Sequence, residues 1–189
     1  MYSTKLIGAA LAALHLAGCA VSAPFANVPS TLVPDGEQAI ERVAARGVQI
    51  YACRVSAVSP TGAEWLFIAP EAELFDAQGK SIGRHYAGPL WEPHDGSRVA
   101  GKLRARADAP QSDAIPWLLL SAQSTGKDGR FARVTSIQRV DTAGGSAPSH
   151  PCSTAQLGTT AKVPYTADYV LFSRPRKLDL GASLVFPIL

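Results

Sequence analysis

The chain has 189 residues, of which 47% are hydrophobic and 17% charged, with a formal net charge of +3. One domain of that size can bury a proper core, and dispersed charge so near neutrality gives no electrostatic case for nucleic acid. Beyond the N-terminal apolar run no segment is apolar for the roughly eighteen residues that a spanning helix needs.

At the N-terminus, Lys5 supplies a positive n-region and Leu6 to Leu16 an apolar run too short to span a bilayer. Leu16-Ala17-Gly18-Cys19 matches a bacterial lipobox. The expectation is an exported lipoprotein acylated at Cys19, held on the periplasmic side of the outer membrane, with the membrane as partner through that anchor. Soluble secretion after Val21-Ser22-Ala23 or Pro24-Phe25-Ala26 is the alternative. Of three cysteines, Cys53 and Cys152 remain for the mature chain, and an even pair in an oxidising compartment predicts a disulfide.

Pro24, Pro29 and Pro34 mark residues 19–34 as a tether, and the domain runs over 35–173. Asp35, with Gln38 three residues on and Gly47 as a stop, brackets Ile40, Val43 and Ala44 at helical spacing, which predicts one short N-terminal helix. The period then changes to two. Val48–Cys53 reads as a strand, and Glu64–Ile68 as another, stopped by Pro70. Glu71–Phe75 and Ser81–Tyr86 flank an Asp76-Ala77-Gln78-Gly79 turn, and Asp95-Gly96 is a second turn signal. In the next strand Val99, Gly101, Leu103, Ala105 and Ala107 share one face, and Lys102, Arg104 and Arg106 form a solvated face opposite. Ile115–Leu120 reads as a strand buried on both faces. Phe131–Val140 reads as a long strand with Arg130, Arg133 and Arg139 in solvent. Thr142–Pro151 is a loop, and Ala161–Val163 and Tyr165–Phe172 close the list of strands. Many short strands with regular turns and one early helix predict an all-β or β-rich domain, a barrel or sandwich of mostly antiparallel strands. Residues 174–189 form a C-terminal extension in which Leu184–Leu189 reads as an edge strand or partner-binding segment.

The densest polar cluster is His85-Tyr86-Ala87-Gly88-Pro89-Leu90-Trp91-Glu92-Pro93-His94-Asp95-Gly96. Loops on a β scaffold commonly carry sites, so His85, Tyr86, Trp91, Glu92 and Asp95 are the ligand-binding candidates. His85 and Glu92, with His94 and Asp95, have metal-ligand side chains but match no metal spacing. No nucleophile elbow, phosphate loop, dinucleotide fingerprint or haem c motif occurs, so no cofactor is assigned. Trp65 and Trp117 lie in apolar strands and read as core. Trp91, between two prolines, reads as a surface or pocket residue, with Tyr51, Phe67, Phe75 and Tyr86 as further candidate pocket aromatics.

Gly47–Cys53, Trp65-x-Phe67-x-Ala69-Pro70-Glu71-Ala72, Gly83–Pro89, Asp95–Ser97, Ala114–Leu120, Ile137–Val140, Gly144-Gly145-x-Ala147-Pro148 and Val163-Pro164-Tyr165-x-Ala167-Asp168-Tyr169 resemble the bacterial and fungal proteins grouped as domain of unknown function 3455. The resemblance covers about residues 35 to 172. It implies a small exported domain, carries no catalytic residue over, and places His85, Tyr86, Trp91, Glu92 and Asp95 in its most recognisable block, with His94 as a variable position. The expectation for function is a cell-envelope lipoprotein binding a small molecule or an envelope component. A hydrolase or metal-dependent enzyme centred on His85, Glu92 and Asp95 and a structural or adaptor protein are the alternatives.

Overall fold

Two aspartates set the tightest reversals. Asp76 Oδ1 accepts from the backbone N–H groups of Gln78 and Lys80 at 3.0 and 2.9 Å, and Gly79 at φ +75° completes that turn. Asp95 Oδ1 accepts from Ser97 N in the same way at 2.8 Å. The computed structural model describes residues 28–175. The expected export signal, Cys19 and Leu184–Leu189 lie outside the described residues.

Eight strands follow in chain order: β1 (Gln38–Val55), β2 (Ala63–Phe75), β3 (Ser81–Tyr86), β4 (Leu90–Pro93), β5 (Val99–Ala107), β6 (Trp117–Ser124), β7 (Ser136–Gly144) and β8 (Thr160–Ser173). Each pairs antiparallel with the next, and β8 pairs back onto β1 from Gln38↔Ser173 to Ala52↔Thr160. Of the two expected β architectures the chain therefore forms the closed barrel, which removes the free edges of an open sheet. Cys53 and Cys152 are disulfide-bonded beside the β1–β8 seam.

Four local expectations are corrected. The predicted N-terminal helix is absent: Gln38 onward is the first half of β1, and among the described residues helical structure is limited to 3-10 turns at Ser30–Leu32 and Thr154–Gln156. Helical spacing of Ile40, Val43 and Ala44 coexists with strand alternation of Val43 and Ala45, and neighbours on both sides of β1 decide for the strand, because a lone short helix has little stability of its own. Pro70 does not stop β2, because β3 pairs with β2 only from Ala72 to Phe75. Pro70 thus stands where β2 has no β3 neighbour, an edge position that tolerates proline. Residues 131–135 form a turn under the barrel, so the predicted long strand begins only at Ser136. Finally, β5 does not keep one apolar face. A register shift between Leu103 and Ala105 turns Ala105 and Ala107 outward while Val99 and Gly101 stay inside.

That shift matches the two cores. The lumen is filled by Val43, Leu74, Trp91, Val99, Leu120, Ile137 and Leu171, with Phe131 and Val134 closing its floor. A second core lies outside the wall, where Trp117, Leu119, Val140, Val170 and Phe172 pack against Leu32. β6 is therefore buried on both faces, as its continuous apolar run predicts. Leu32 is fully buried, and its carbonyl accepts from Gln138 Nε2 at 2.7 Å. The end of the segment read as a tether is thus part of the packed domain.

Candidate functional site

Strand alternation sorts the polar cluster. On the β3–β4 hairpin His85 pairs with Trp91, and Arg84 with Glu92. Successive side chains point to opposite faces, so His85 and Trp91 enter the lumen while Arg84, Tyr86 and Glu92 stay outside. Trp91, 1% exposed, is a lumen residue, which corrects its surface reading and keeps its pocket reading. Its ring stacks on His85 with centroids 4.2 Å apart and meets Tyr169 edge-on at 5.2 Å. Gly101 makes this possible: a Cβ there would lie 2.8 Å from Trp91 Cζ3.

Beside this stack lies a cavity of about 360 Å³ lined by Gln49, Phe67, Ile68, Pro70, His85, Gly88, Pro89, Trp91, Gly101, Leu103, Leu118, Leu120, Arg139 and Tyr169. Its mouth follows from strand lengths. β2 lacks a β3 partner before Ala72, and β5 meets β4 only at Val99 and Ala100. The short β3–β4 hairpin thus leaves a notch in the wall, bounded by Phe67, Ile68, Pro89 and Leu103. Phe67 and Ile68 are each 48% exposed and Leu103 56%, so the rim is apolar and open to solvent.

The inner wall carries polar groups. His85 Nδ1 lies 2.9 Å from the Leu90 carbonyl and donates to it, leaving Nε2 as the acceptor. Burial pushes the His85 pKa down to about 3, against the Leu90 hydrogen bond and helped by the charge of Arg139, so the ring is neutral at physiological pH. Burial also raises the Tyr169 phenol. Gln49, Tyr165, Tyr169 and Arg139 approach one another along this wall, yet Gln49 Nε2, Trp91 Nε1 and the hydroxyls of Tyr165 and Tyr169 have no protein partner at hydrogen-bond geometry.

Arg139 is the residue that sequence reading missed. It sits opposite Leu118 and Tyr169 in the ladder, inside the barrel and not in solvent with Arg130 and Arg133. Its Nε and Nη2 donate to the Pro116 carbonyl at 3.0 and 2.8 Å. Among the described residues no carboxylate pairs with it. The only signal for it is phase: Arg139 shares the parity of Ile137, a core residue.

A family model described as protein of unknown function (DUF3455) matches residues 34–173. The chain belongs to the DUF3455 family. No curated protein and no solved structure matches the sequence. The matched range ends on the last residue of β8, so the DUF3455 domain is the barrel itself.

The remaining candidates of the DUF3455 barrel lie elsewhere. Outside the wall, Glu92 accepts from Arg84 Nη2 at 3.0 Å and from the Tyr86 hydroxyl, and Arg98 stands 3.8 Å away. The Tyr86 hydrogen bond, then Arg84, holds the Glu92 carboxyl below the usual carboxylate range. These side chains belong to a wide groove of about 790 Å³ in which Arg46, Glu71, Glu73, Arg84, Glu92 and His94 mix both signs of charge. Trp117 is core, as expected, whereas Trp65 is half-buried over the disulfide with Nε1 donating to the His150 carbonyl at 3.1 Å. Of the candidate pocket aromatics, Phe67 and Trp91 line the lumen cavity and the Tyr51 hydroxyl is used on the Gly145 carbonyl.

Asp95 ties the floor. Its Oδ1 also accepts from Ser97 Oγ at 2.7 Å, its Oδ2 accepts from Arg130 N at 2.7 Å, and Ser97 Oγ accepts from Phe131 N. These bonds, that of Arg130 N foremost, hold its carboxyl low. Asp95→Ala is expected to lower the unfolding free energy by about 1–2 kcal/mol at neutral pH, read by urea denaturation. Because the folded carboxyl is the stronger acid, the difference from wild type shrinks as pH falls through the carboxylate range. An unchanged midpoint at pH 7 would remove Asp95 from the floor's support. His85 inside, Glu92 outside and Asp95 at the floor thus form no common centre, and among the described residues no three His, Cys, Asp or Glu side chains gather to hold a metal ion. What converges is Arg139, His85, Gln49 and Tyr169 among the apolar side chains that line the lumen cavity.

Proposed function

We propose that this DUF3455 protein is an exported binding module whose barrel lumen takes a small molecule. The observation that carries the reading is the lumen cavity itself, which opens at the Phe67–Leu103 notch, is lined mostly by apolar side chains, and carries Gln49, His85, Arg139 and Tyr169 among them. The apolar lining removes a ligand's hydrocarbon surface from water, and the few polar side chains fix its orientation. The volume suits a compact molecule, since small-molecule pockets start at about 300 Å³. The exposed rim of Phe67, Ile68 and Leu103 offers such a molecule an apolar approach. Native against denaturing mass spectrometry, on protein purified from its own envelope, tests this. Extra mass present only under native conditions is expected. A native mass equal to the processed chain, from protein never exposed to denaturant or detergent wash, overturns tight binding.

The Leu16-Ala17-Gly18-Cys19 motif supports placement in the cell envelope with acyl chains on Cys19. In Cys19→Ala, the acyl mass is expected to vanish and the protein to move from the membrane to the soluble fraction. Unchanged membrane association would rule out the anchor.

A further inference from the structure

We infer that the lumen is selective for a small amphipathic monocarboxylate, with the carboxylate on Arg139 and the apolar body directed toward the Phe67–Leu103 notch. The inference rests on the lumen-binding reading above and names its ligand class.

Three observations carry it. First, Arg139 lies on the inner wall of the cavity and has no carboxylate partner among the described residues. Its Nε and Nη2 donate to the Pro116 carbonyl, and the Tyr169 phenol beside it is neutral. A guanidinium partly withdrawn from water is costly without a counter-charge, and its planar fork matches a carboxylate better than any neutral acceptor. Second, the groups sharing that wall bring no compensating charge. His85 is neutral, Gln49 and Trp91 are uncharged, and burial keeps Tyr169 protonated. The lumen therefore carries one positive charge, which favours an anion of single charge. Third, the rest of the lining is apolar: Phe67, Ile68, Pro70, Leu103, Leu118 and Leu120. A phosphate or sugar would meet few partners there, whereas a hydrocarbon body would bury its surface. The small volume limits that body to a short chain or a single ring.

Octanoate, 1-octanol and octylammonium share one apolar body and differ in the head group, so they separate the head-group claim from the lumen claim. Each is titrated into the folded mature chain by calorimetry and into ¹⁵N-labelled protein by NMR. The chain has three tryptophans, and the indole N–H of Trp91, assigned from Trp91→Phe, reports occupancy of the lumen. Octanoate is expected to move the Trp91 signal and to bind at least about ten-fold more tightly than 1-octanol, the ratio for one charge-assisted contact. Arg139→Gln should abolish that preference while leaving 1-octanol binding in place. Should Arg139→Gln fold poorly, the octanoate-to-octanol ratio on the wild-type protein decides alone. If octanoate and 1-octanol move Trp91 with equal affinity, or octylammonium binds best, the inference falls and the lumen remains a binding site for other chemistry. If no probe moves Trp91 and the native mass also shows no ligand, the lumen reading falls with it.

Discussion

Replacing Cys53 and Cys152 by alanine is expected to lower the unfolding free energy by about 4 kcal/mol, at the upper end of what native disulfides contribute. The bond spans a sequence separation of 99 residues, which encloses β2 to β7. Loop-closure entropy removed from the unfolded chain grows with the enclosed length. The barrel makes that constraint relevant, because its last closure is the pairing of β8 with β1. Those strands are the most distant in sequence, and the bond keeps them near each other in every unfolded conformation. The native seam has other ties: Cys53 N donates to the Thr159 carbonyl, Gly158 N donates to the Cys53 carbonyl, and Thr61 Oγ1 donates to the Cys152 carbonyl at 2.7 Å. The double variant should therefore keep the native barrel and lose stability chiefly through its unfolded state. Guanidinium denaturation with matched near-ultraviolet dichroism reads both. A loss below about 1 kcal/mol would mean that the unfolded chain already holds these ends together. Both cysteines are buried, 0% and 1% exposed, so a reductant should act at the rate of local opening and faster in denaturant.

The features legible in the sequence are those written locally. Asp76 with Gly79 and Asp95 with Gly96 specify their turns by side-chain bonds to nearby N–H groups, so these reversals are visible without knowledge of the fold. The Ile115–Leu120 run announces a strand covered on both sides. The cysteine pair follows from the count and the expected export, and the resemblance identified the family. What stayed hidden depends on register around a closed ring. Arg139 shares a strand with other polar residues, Ser136 and Gln138, and both faces of β7 are buried, the inner by the lumen and the outer by Leu32. Alternation alone therefore did not tell inside from outside. Gln49 bears no sequence mark at all; only pairing with Val163 and Pro70 places it on the cavity wall. His85, Trp91, Glu92 and Asp95 are adjacent in sequence, but one hairpin sends them to the lumen, the outer groove and the floor. Proximity along the chain suggested a single centre, and strand parity divides it. β5 shows the same limit on a smaller scale, because its register shift exchanges the faces of Ala105 and Ala107 and leaves no trace in an alternating sequence.

Lowering the pH from 7.5 to 5 should cost the protein about 2 kcal/mol of stability through His85 alone, rising to about 4 kcal/mol near pH 3 at 1.36 kcal/mol per pH unit. In the folded barrel the ring is 3% exposed, stacked on Trp91, and held with Nδ1–H on the Leu90 carbonyl. Protonation would place a second positive charge in a wall that already holds Arg139, with no carboxylate beside it. Burial, reinforced by Arg139, therefore takes the pKa down to about 3 from an ordinary 6.5. The unfolded chain binds a proton as the pH passes 6.5 and the folded chain does not. Stability is then full above that value and falls steadily as pH drops, until the folded ring also titrates. The upper part of this window, pH 6.5 to 5, lies above the ordinary range of carboxylates, so the slope there isolates the histidine from Glu92 and Asp95, whose lowered pKa values act only in stronger acid. His85→Phe keeps a ring on Trp91 but removes the titrating nitrogen. It should be less stable than wild type at pH 7.5 by about 1–2 kcal/mol, for the lost Leu90 bond, yet flat between pH 6.5 and 5, so that the two stabilities converge or cross. Urea denaturation of both proteins across this range supplies the comparison. Parallel curves would show that the acid sensitivity belongs to other groups and that the His85 ring accepts a proton without leaving the lumen. An anion bound at Arg139 would offset the charge that opposes protonation, raise the folded imidazole's pKa, and so end the decline at a higher pH with a smaller total loss, which links this stability measurement to the octanoate titration.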